Sequence, residues 1–213
     1  MELFQSLLPS FLEGTQVTLF YWFMTLILAS LCTIPLTYFL LYAIRPIQLI
    51  LRFYIYLMRG TPLMLQLMFF FFGLPYLGIT LDRMEAAIIA LVLNYAAYFM
   101  EILRGGVQSV DSGQSEAAYM LGYSQYDTFF KILLPQAFKN ALPSFSNECL
   151  TLLKDTCLVS VLGIDELLRY GKIAVSTYST ALPFIYIALI YLILNVPITR
   201  MIGFIERKLN YYE

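Results

Sequence analysis

Apolar residues fall in long uncharged runs from Gly14 to Ile44, Gly60 to Thr80, Ala86 to Met100 and Ile173 to Thr199. A helix needs roughly 20 such residues to cross the hydrocarbon of a bilayer, and the first, second and fourth runs supply that length. The third run is short and framed by Glu85 and Glu101. It spans if those carboxylates lie at opposite interfaces or face protein, because a charge in lipid is expensive. A fifth apolar stretch, Ala141 to Ile164, is interrupted by Glu148, Lys154 and Asp155. The pattern predicts one all-α membrane domain over 1–213 with five spans, at about 17–42, 61–80, 84–103, 145–164 and 179–201.

Charge placement orients those spans. With the N-terminus outside and the C-terminus cytoplasmic, the inside segments and their flanks hold Arg45, Arg52, Arg59, Arg104, Lys131, Lys139, Lys154, Arg200, Arg207 and Lys208. The outside ones hold Arg83, Arg169 and Lys172. That asymmetry is the one expected of cytoplasmic loops, and dropping the fifth crossing moves the Arg200 to Lys208 group to the wrong side. Composition agrees: 60% of the residues are hydrophobic and the mean hydropathy is +0.75. The start lacks a basic segment and a small-residue cleavage site, so the first span is expected to be retained. Cys32, Cys149 and Cys157 lack metal-ligand spacing and the chain has no histidine, which points to apolar packing and away from a metal or catalytic centre. A net charge of −1 with scattered basic residues gives no nucleic-acid footprint.

Proline and glycine punctuate the elements. Pro9 and Gly14 set residues 1–16 apart as a surface or interfacial segment, and Pro35 predicts a kink or local opening in the first span. Arg52 to Arg59 reads as an amphipathic approach to the second span, which Gly60-Thr61-Pro62 allows to begin. Phe69 to Phe72 read as lipid-facing or interfacial rings rather than a stacking platform.

Residues 105–144 are too polar for lipid and are expected to fold in the cytoplasm. Ser115 is placed to cap a helix starting at Glu116, where an acid favours the helix dipole. Gly122 permits a turn, Tyr126, Phe129, Phe130, Leu133 and Leu134 supply an apolar side, and Pro135 redirects the chain. The segment reads equally as a docking knob for another protein or as a loop packed on its own membrane helices.

The order EAAYMLGYSQYDTFFKILLP at 116–135 resembles the EAA signature of ATP-binding-cassette importer permeases, with the Glu-Ala-Ala triplet, the glycine and the terminal Ile-x-Leu-Pro at the family spacing. RGTPLMLQL at 59–67, NYAAYFMEILRGGVQSVDSGQ at 94–114 and LLKDTCLVSVLGIDELL at 152–168 are similar to the polar-amino-acid branch of that family. The resemblance implies a type I importer of the MetI-like permease fold in a bacterial cytoplasmic membrane. Its partners would be ABC ATPase subunits, a second permease copy or a related permease, and an extracytoplasmic amino-acid-binding protein. It further implies that Glu116, Ala117, Ala118, Gly122, Tyr126 and Pro135 belong to a coupling helix seated on an ATPase. The chain has no phosphate-binding loop of its own, so ATP and Mg would be bound by the partner ATPase and this chain would not be an enzyme.

A polar amino acid must exchange its hydration for polar groups confined to apolar spans. Asn94, Tyr95, Lys154, Asp155, Thr156 and Ser160 satisfy that condition, and Lys154 fits interfacial snorkelling as well. Glu101 and Arg104, three apart, fit a structural or gating pair. Glu148 reads as an interfacial acid, and Asp165-Glu166 as part of an outside loop or re-entrant turn. Two other functions remain open from the residues: an ion-coupled carrier, disfavoured by the lack of an inverted repeat, and a membrane scaffold that recruits a partner without transport.

Overall fold

A computed structural model describes residues 2–209. Those residues form helices joined by short connections, without strands. Helix α1 (Glu2–Tyr42) is a single element that runs through Pro9, Gly14 and Pro35, so the expected separate segment 1–16 is part of the first long helix. Gly14 does not interrupt it. A Cβ there would stand 2.8 Å from Leu167 Cα, so this glycine is where α1 and a later helix touch backbone to backbone. Hydroxyls near the prolines bond back along the helix, Thr33 Oγ1 donating to Ala29 O at 2.7 Å and Thr15 Oγ1 to Phe11 O at 2.7 Å.

Helix α2 (Arg45–Gly60) follows, and Thr61-Pro62 separates it from α3 (Leu63–Met68). The chain turns by 106° there, which makes Arg45–Gly60 and Leu63–Leu77 a bent pair in place of the straight span expected at 61–80. After α3 a π-helical turn (Phe69–Gly73) and a 3-10 turn (Leu74–Leu77) lead to Gly78 at φ 78°.

Helix α4 (Arg83–Gln108) opens with a capping box in which Glu85 N donates to Asp82 Oδ1 at 2.8 Å and Asp82 N to Glu85 Oε2 at 3.0 Å. Glu85 is therefore a helix-start residue rather than a charge left in the span. The helix forms the centre of the molecule. Ala86, Ala87, Ala90, Ala96 and Ala97 are essentially inaccessible, and these small side chains let α1, α3 and the later α7 approach closely. Tyr95, Leu91 and Phe99 pack with Tyr21, Trp22, Leu67, Leu152 and Val159 in the main core.

Three short pieces follow: α5 (Ser112–Met120), α6 (Gln125–Asp127) and a π-helical turn (Thr128–Leu133). The cap of α5 is Asp111, whose Oδ1 accepts from Gly113 N at 2.7 Å, and not Ser115 as the sequence suggested. Helix α7 (Leu134–Asp155) carries Pro135 in its first turn, where a proline needs no donor. Pro135 thus continues the helical path and does not redirect it. A 3-10 stretch (Thr156–Leu162) ends at Gly163, so the element expected at 145–164 is the second half of α7 joined to a tighter helix. Helix α8 (Leu167–Tyr178), unforeseen in the sequence, is capped by Glu166, which accepts from Leu168 N at 2.8 Å and Arg169 N at 2.7 Å. Helix α9 (Leu182–Leu209) closes the fold.

Three helical stretches, Leu3–Tyr42, Arg83–Gln108 and Leu182–Lys208, are long and apolar enough to cross a membrane, and the bent pair makes a fourth candidate. Their outer faces expose large apolar side chains, with Leu31 65% and Ile193 67% accessible. An apolar surface of that extent suits contact with lipid and not with water.

Candidate functional site

Two features rise from these elements: a polar cavity among the apolar helices and a knob on the polar segment. The cavity begins at the α2–α3 bend. Asn94 on α4 donates through Nδ2 to Met58 O at 3.0 Å and to Gln66 Oε1 at 3.0 Å. Gln66 Nε2 in turn donates to Met58 O at 2.9 Å and Thr61 Oγ1 at 2.8 Å. The last carbonyls of α2, which a sharp bend would strand, are held by these two buried amides.

Beside the bend lies a space of about 610 Å³ lined by Arg59, Thr61, Asn94, Tyr95, Tyr98, Glu148, Thr151 and Asp155 among others. Glu148, Thr151 and Asp155 share one face of α7, because positions three, four and seven apart lie one above another. Tyr95 OH donates to Asp155 Oδ2 at 2.8 Å, which orients that carboxylate. Across from them the Arg59 guanidinium sits 5.3 Å from the centre of the Tyr98 ring. Two carboxylates and one guanidinium therefore border one half-enclosed volume.

The residues predicted to meet a solute divide. Asn94, Tyr95 and Asp155 line the cavity, Asn94 with its amide committed to the bend. Lys154, next to Asp155 but 100° around the helix, is exposed and does not line it. Thr156 is fully buried and donates to Leu153 O at 2.7 Å. Ser160 borders a different space of about 360 Å³ with Arg169 and Lys172. Arg59, Tyr98, Glu148 and Thr151 were not singled out for this role in the sequence. The seven-residue interval between Glu148 and Asp155 was the available signal.

Glu101 and Arg104 do pair: Arg104 Nε donates to Glu101 Oε2 at 3.0 Å and its Nη2 to Oε1. Arg59 Nη1 lies 3.9 Å from the same carboxylate, which extends the pair to three charges.

The knob comprises α5, α6 and the turn between them. Gly122 adopts φ 78°, with Gly122 N bonded to Tyr119 O at 3.0 Å and Tyr123 N to Ala118 O at 3.0 Å. This is the Schellman closure, which needs a left-handed residue just past the helix. Ala118 faces inward, while Glu116 and Ala117 are exposed. Tyr119, Met120 and Leu121 project almost fully, at 79%, 83% and 76% accessibility. Tyr126 stacks at 4.4 Å on Phe130, and Phe129 and Phe130 pack against Tyr38 of α1 at 5.3 and 5.7 Å. Lys131 Nζ contacts Asp127 Oδ1 at 2.6 Å, and this bond, with a further one from Ser124, holds the Asp127 carboxyl below the ordinary aspartate range. The knob is rigidly mounted and presents an apolar tip.

Apolar helices around a polar cavity, with an exposed apolar tip outside them, fit the class of helical membrane transport proteins. The comparisons give the family. Residues 34–211 match the model described as the binding-protein-dependent transport system inner membrane component, and the chain belongs to that family, among the amino-acid ABC transporter permeases. The arginine transport system permease protein ArtQ of Bacillus subtilis (strain 168) is 40% identical over 205 residues, covering 95% of this chain and 94% of that one. A putative glutamine transport system permease protein, GlnP of Rickettsia conorii, is 37% identical over 92% of this chain and 91% of its own length. Among solved structures, an amino acid ABC transporter with histidines superposes with a TM-score of 0.85 at 35% identity over 94% of each chain. The MetNI methionine transporter shares the fold, with a TM-score of 0.79 at 19% identity over 99% of each chain. The chain is an importer permease and not the ATPase.

Proposed function

We propose that this permease carries a cationic amino acid, and that the cavity at the α2–α3 bend is where the solute is held. The observation that carries the reading is the convergence of Glu148 and Asp155 on one volume with Arg59 at its rim. A cationic amino acid has two positive groups and one carboxylate, the complement of that set. Glu148 and the free oxygen of Asp155 accept from the solute's ammonium and its side-chain cation, and Arg59 receives its carboxylate as a fork. The 40% identical arginine permease of Bacillus subtilis supports this choice of substrate class.

The remaining parts follow from the family. Five crossings place the N-terminus outside and the C-terminus in the cytoplasm of a bacterial inner membrane. An extracytoplasmic binding protein delivers the solute, and a second permease, identical or related, faces the cavity. Glu116, Ala117, Ala118, Gly122 and Tyr126 form the coupling surface on a partner ATPase, which binds ATP and Mg, and Pro135 starts the helix that carries the motion inward. Closure of the ATPases moves the knobs, and alternating access results. Glu101 and Arg104 brace the α4 end against Arg59.

Uptake by the reconstituted importer tests the substrate assignment. Glu148→Gln and Asp155→Asn should each weaken arginine uptake about 10-fold or more, the effect of removing a charged hydrogen bond worth roughly 1.5–3 kcal/mol. Glutamine uptake, where measurable, should change less. Arginine uptake at the parental rate in both variants would refute the assignment.

A further inference from the structure

Helix α2 carries Arg45, Arg52 and Arg59 at seven-residue intervals, two turns apart, so the three lie in one stripe. Between that stripe and helices α1 and α4 is a second cavity of about 450 Å³, with Arg52, Arg59 and Arg104 on its walls and the apolar Leu40 and Leu41 beneath. Among the described residues, Glu101 is the only carboxylate on its walls. It is already engaged by Arg104, with Arg59 at 3.9 Å, while Arg52 has no ion pair or side-chain hydrogen bond among the described residues. The cavity keeps uncompensated positive charge.

Apolar surface borders it. Phe53 and Tyr56 are 64% and 77% accessible beside the arginine stripe, on the helix that carries it. Cations that border exposed rings and aliphatic chains match a molecule with an anionic head and an apolar body. The solute of the bend cavity does not qualify, because a cationic amino acid is repelled by three guanidinium groups. Symmetric packing of α2 on α2 from a second copy is also unfavourable: the helix has no acidic residue, so like charges would meet.

We propose that this cavity binds the phosphate headgroup of an anionic phospholipid, with Arg52 as the forked donor, the charges of Arg59 and Arg104 behind it, and the acyl chains along Phe53 and Tyr56. Guanidinium groups match phosphate oxygens in pairs, and basic pockets between membrane helices suit anionic headgroups. The lipid would brace α2 against α4 beside the bend and so tie transport to membrane composition.

The importer, purified with its co-assembled subunits and stripped of lipid in detergent, is offered phosphatidylglycerol, phosphatidylcholine or inorganic phosphate at equal concentration and read by native mass spectrometry. Phosphatidylglycerol should be retained over phosphatidylcholine. Arg52→Gln should reduce that retention about fivefold, the effect of one basic residue near an anionic lipid, while Arg52→Lys should keep most of it. Because Arg52 is exposed and unpaired, both variants should melt with the parent protein. Equal retention of the two lipids, or undiminished retention in Arg52→Gln, would overturn the proposal. Inorganic phosphate that displaces phosphatidylglycerol at equal concentration would assign the cavity to a soluble anion instead. Quantitative disulfide formation between two Arg52→Cys copies would assign it to a subunit contact.

Discussion

Asn94 and Tyr95 are neighbours on α4, and the structure separates their tasks. Asn94 holds the α2–α3 bend through Met58 O and Gln66 Oε1, while Tyr95 reaches across to Asp155. Asn94→Ala leaves the buried Gln66 Oε1 without its donor, at a cost of roughly 1–3 kcal/mol. The variant should melt lower in mild detergent and lose affinity for arginine, and an unchanged melting temperature would show that the bend does not depend on this amide. Both residues were legible as polar groups in an apolar run, but their partners were not, because Met58, Gln66 and Asp155 lie far away in sequence. Glu148 was read as an interfacial acid, and its interval to Asp155 becomes meaningful only once both line one cavity. Asp127 gives a prediction at this scale too. Lys131, and then Ser124, hold its carboxyl below the ordinary value, and Asp127 holds the Lys131 ammonium above its own. The carboxyl's contribution is present above about pH 4 and lost as pH falls through its lowered pKa. That of the ammonium is present below about pH 10 and lost as pH rises through its raised one. Intrinsic-rate-corrected hydrogen exchange over 125–131 should therefore be flat from about pH 5 to 8 and rise below about pH 4.

Among the elements, α1, α4 and α9 were readable from hydropathy, because a helix that faces lipid on one side and protein on the other is apolar all round. The bent pair α2–α3 and the composite α7 were read as straighter than they are. Their paths are set by a Thr-Pro break, buried amides and a change of helical pitch at Thr156, none of which alters the apolar pattern. Helix α8 escaped notice because its single turn-start signal, Glu166, looked like a loop acid. The knob was legible in part: the turn at the left-handed Gly122 has a local signature, whereas the helix cap was expected at Ser115 and lies at Asp111. Its role separates into stability and docking by two substitutions. Alanine at position 122 must adopt φ 78° at a cost of roughly 1–2 kcal/mol. Gly122→Ala should loosen the knob and abolish uptake while membrane insertion persists. Glu116 is exposed, so Glu116→Ala should leave the melting temperature unchanged and still uncouple ATP hydrolysis from uptake. Normal coupled uptake in both variants would remove the knob from the coupling path.

For the whole molecule, the decisive feature is that the chain leaves the cavity proposed for the solute half open. Arg59, with its side chain 41% accessible, lines a cavity that the chain leaves half open. A charged volume of about 610 Å³ facing lipid would be strongly unfavourable. Something polar or proteinaceous must cover it, and in the assembly proposed above a second permease would do so while leaving room for a solute between the two. Thr151 lies midway between Glu148 and Asp155 on the lining face of α7 and forms its hydrogen bond within its own helix, to Asn147 O at 3.1 Å, so its replacement breaks no cross-helix hydrogen bond. Thr151→Cys in a background with Cys32, Cys149 and Cys157 replaced should be bridged to the partner permease by a short bifunctional thiol reagent. The yield should change when ATP is trapped on the ATPases, because closure of the coupling knobs changes the separation of the two α7 faces. Arginine should protect the thiol in the state that binds it. A thiol that bridges to no permease and is modified from the lipid phase at the same rate in every nucleotide state would place the cavity away from the subunit interface and leave it without a transport role.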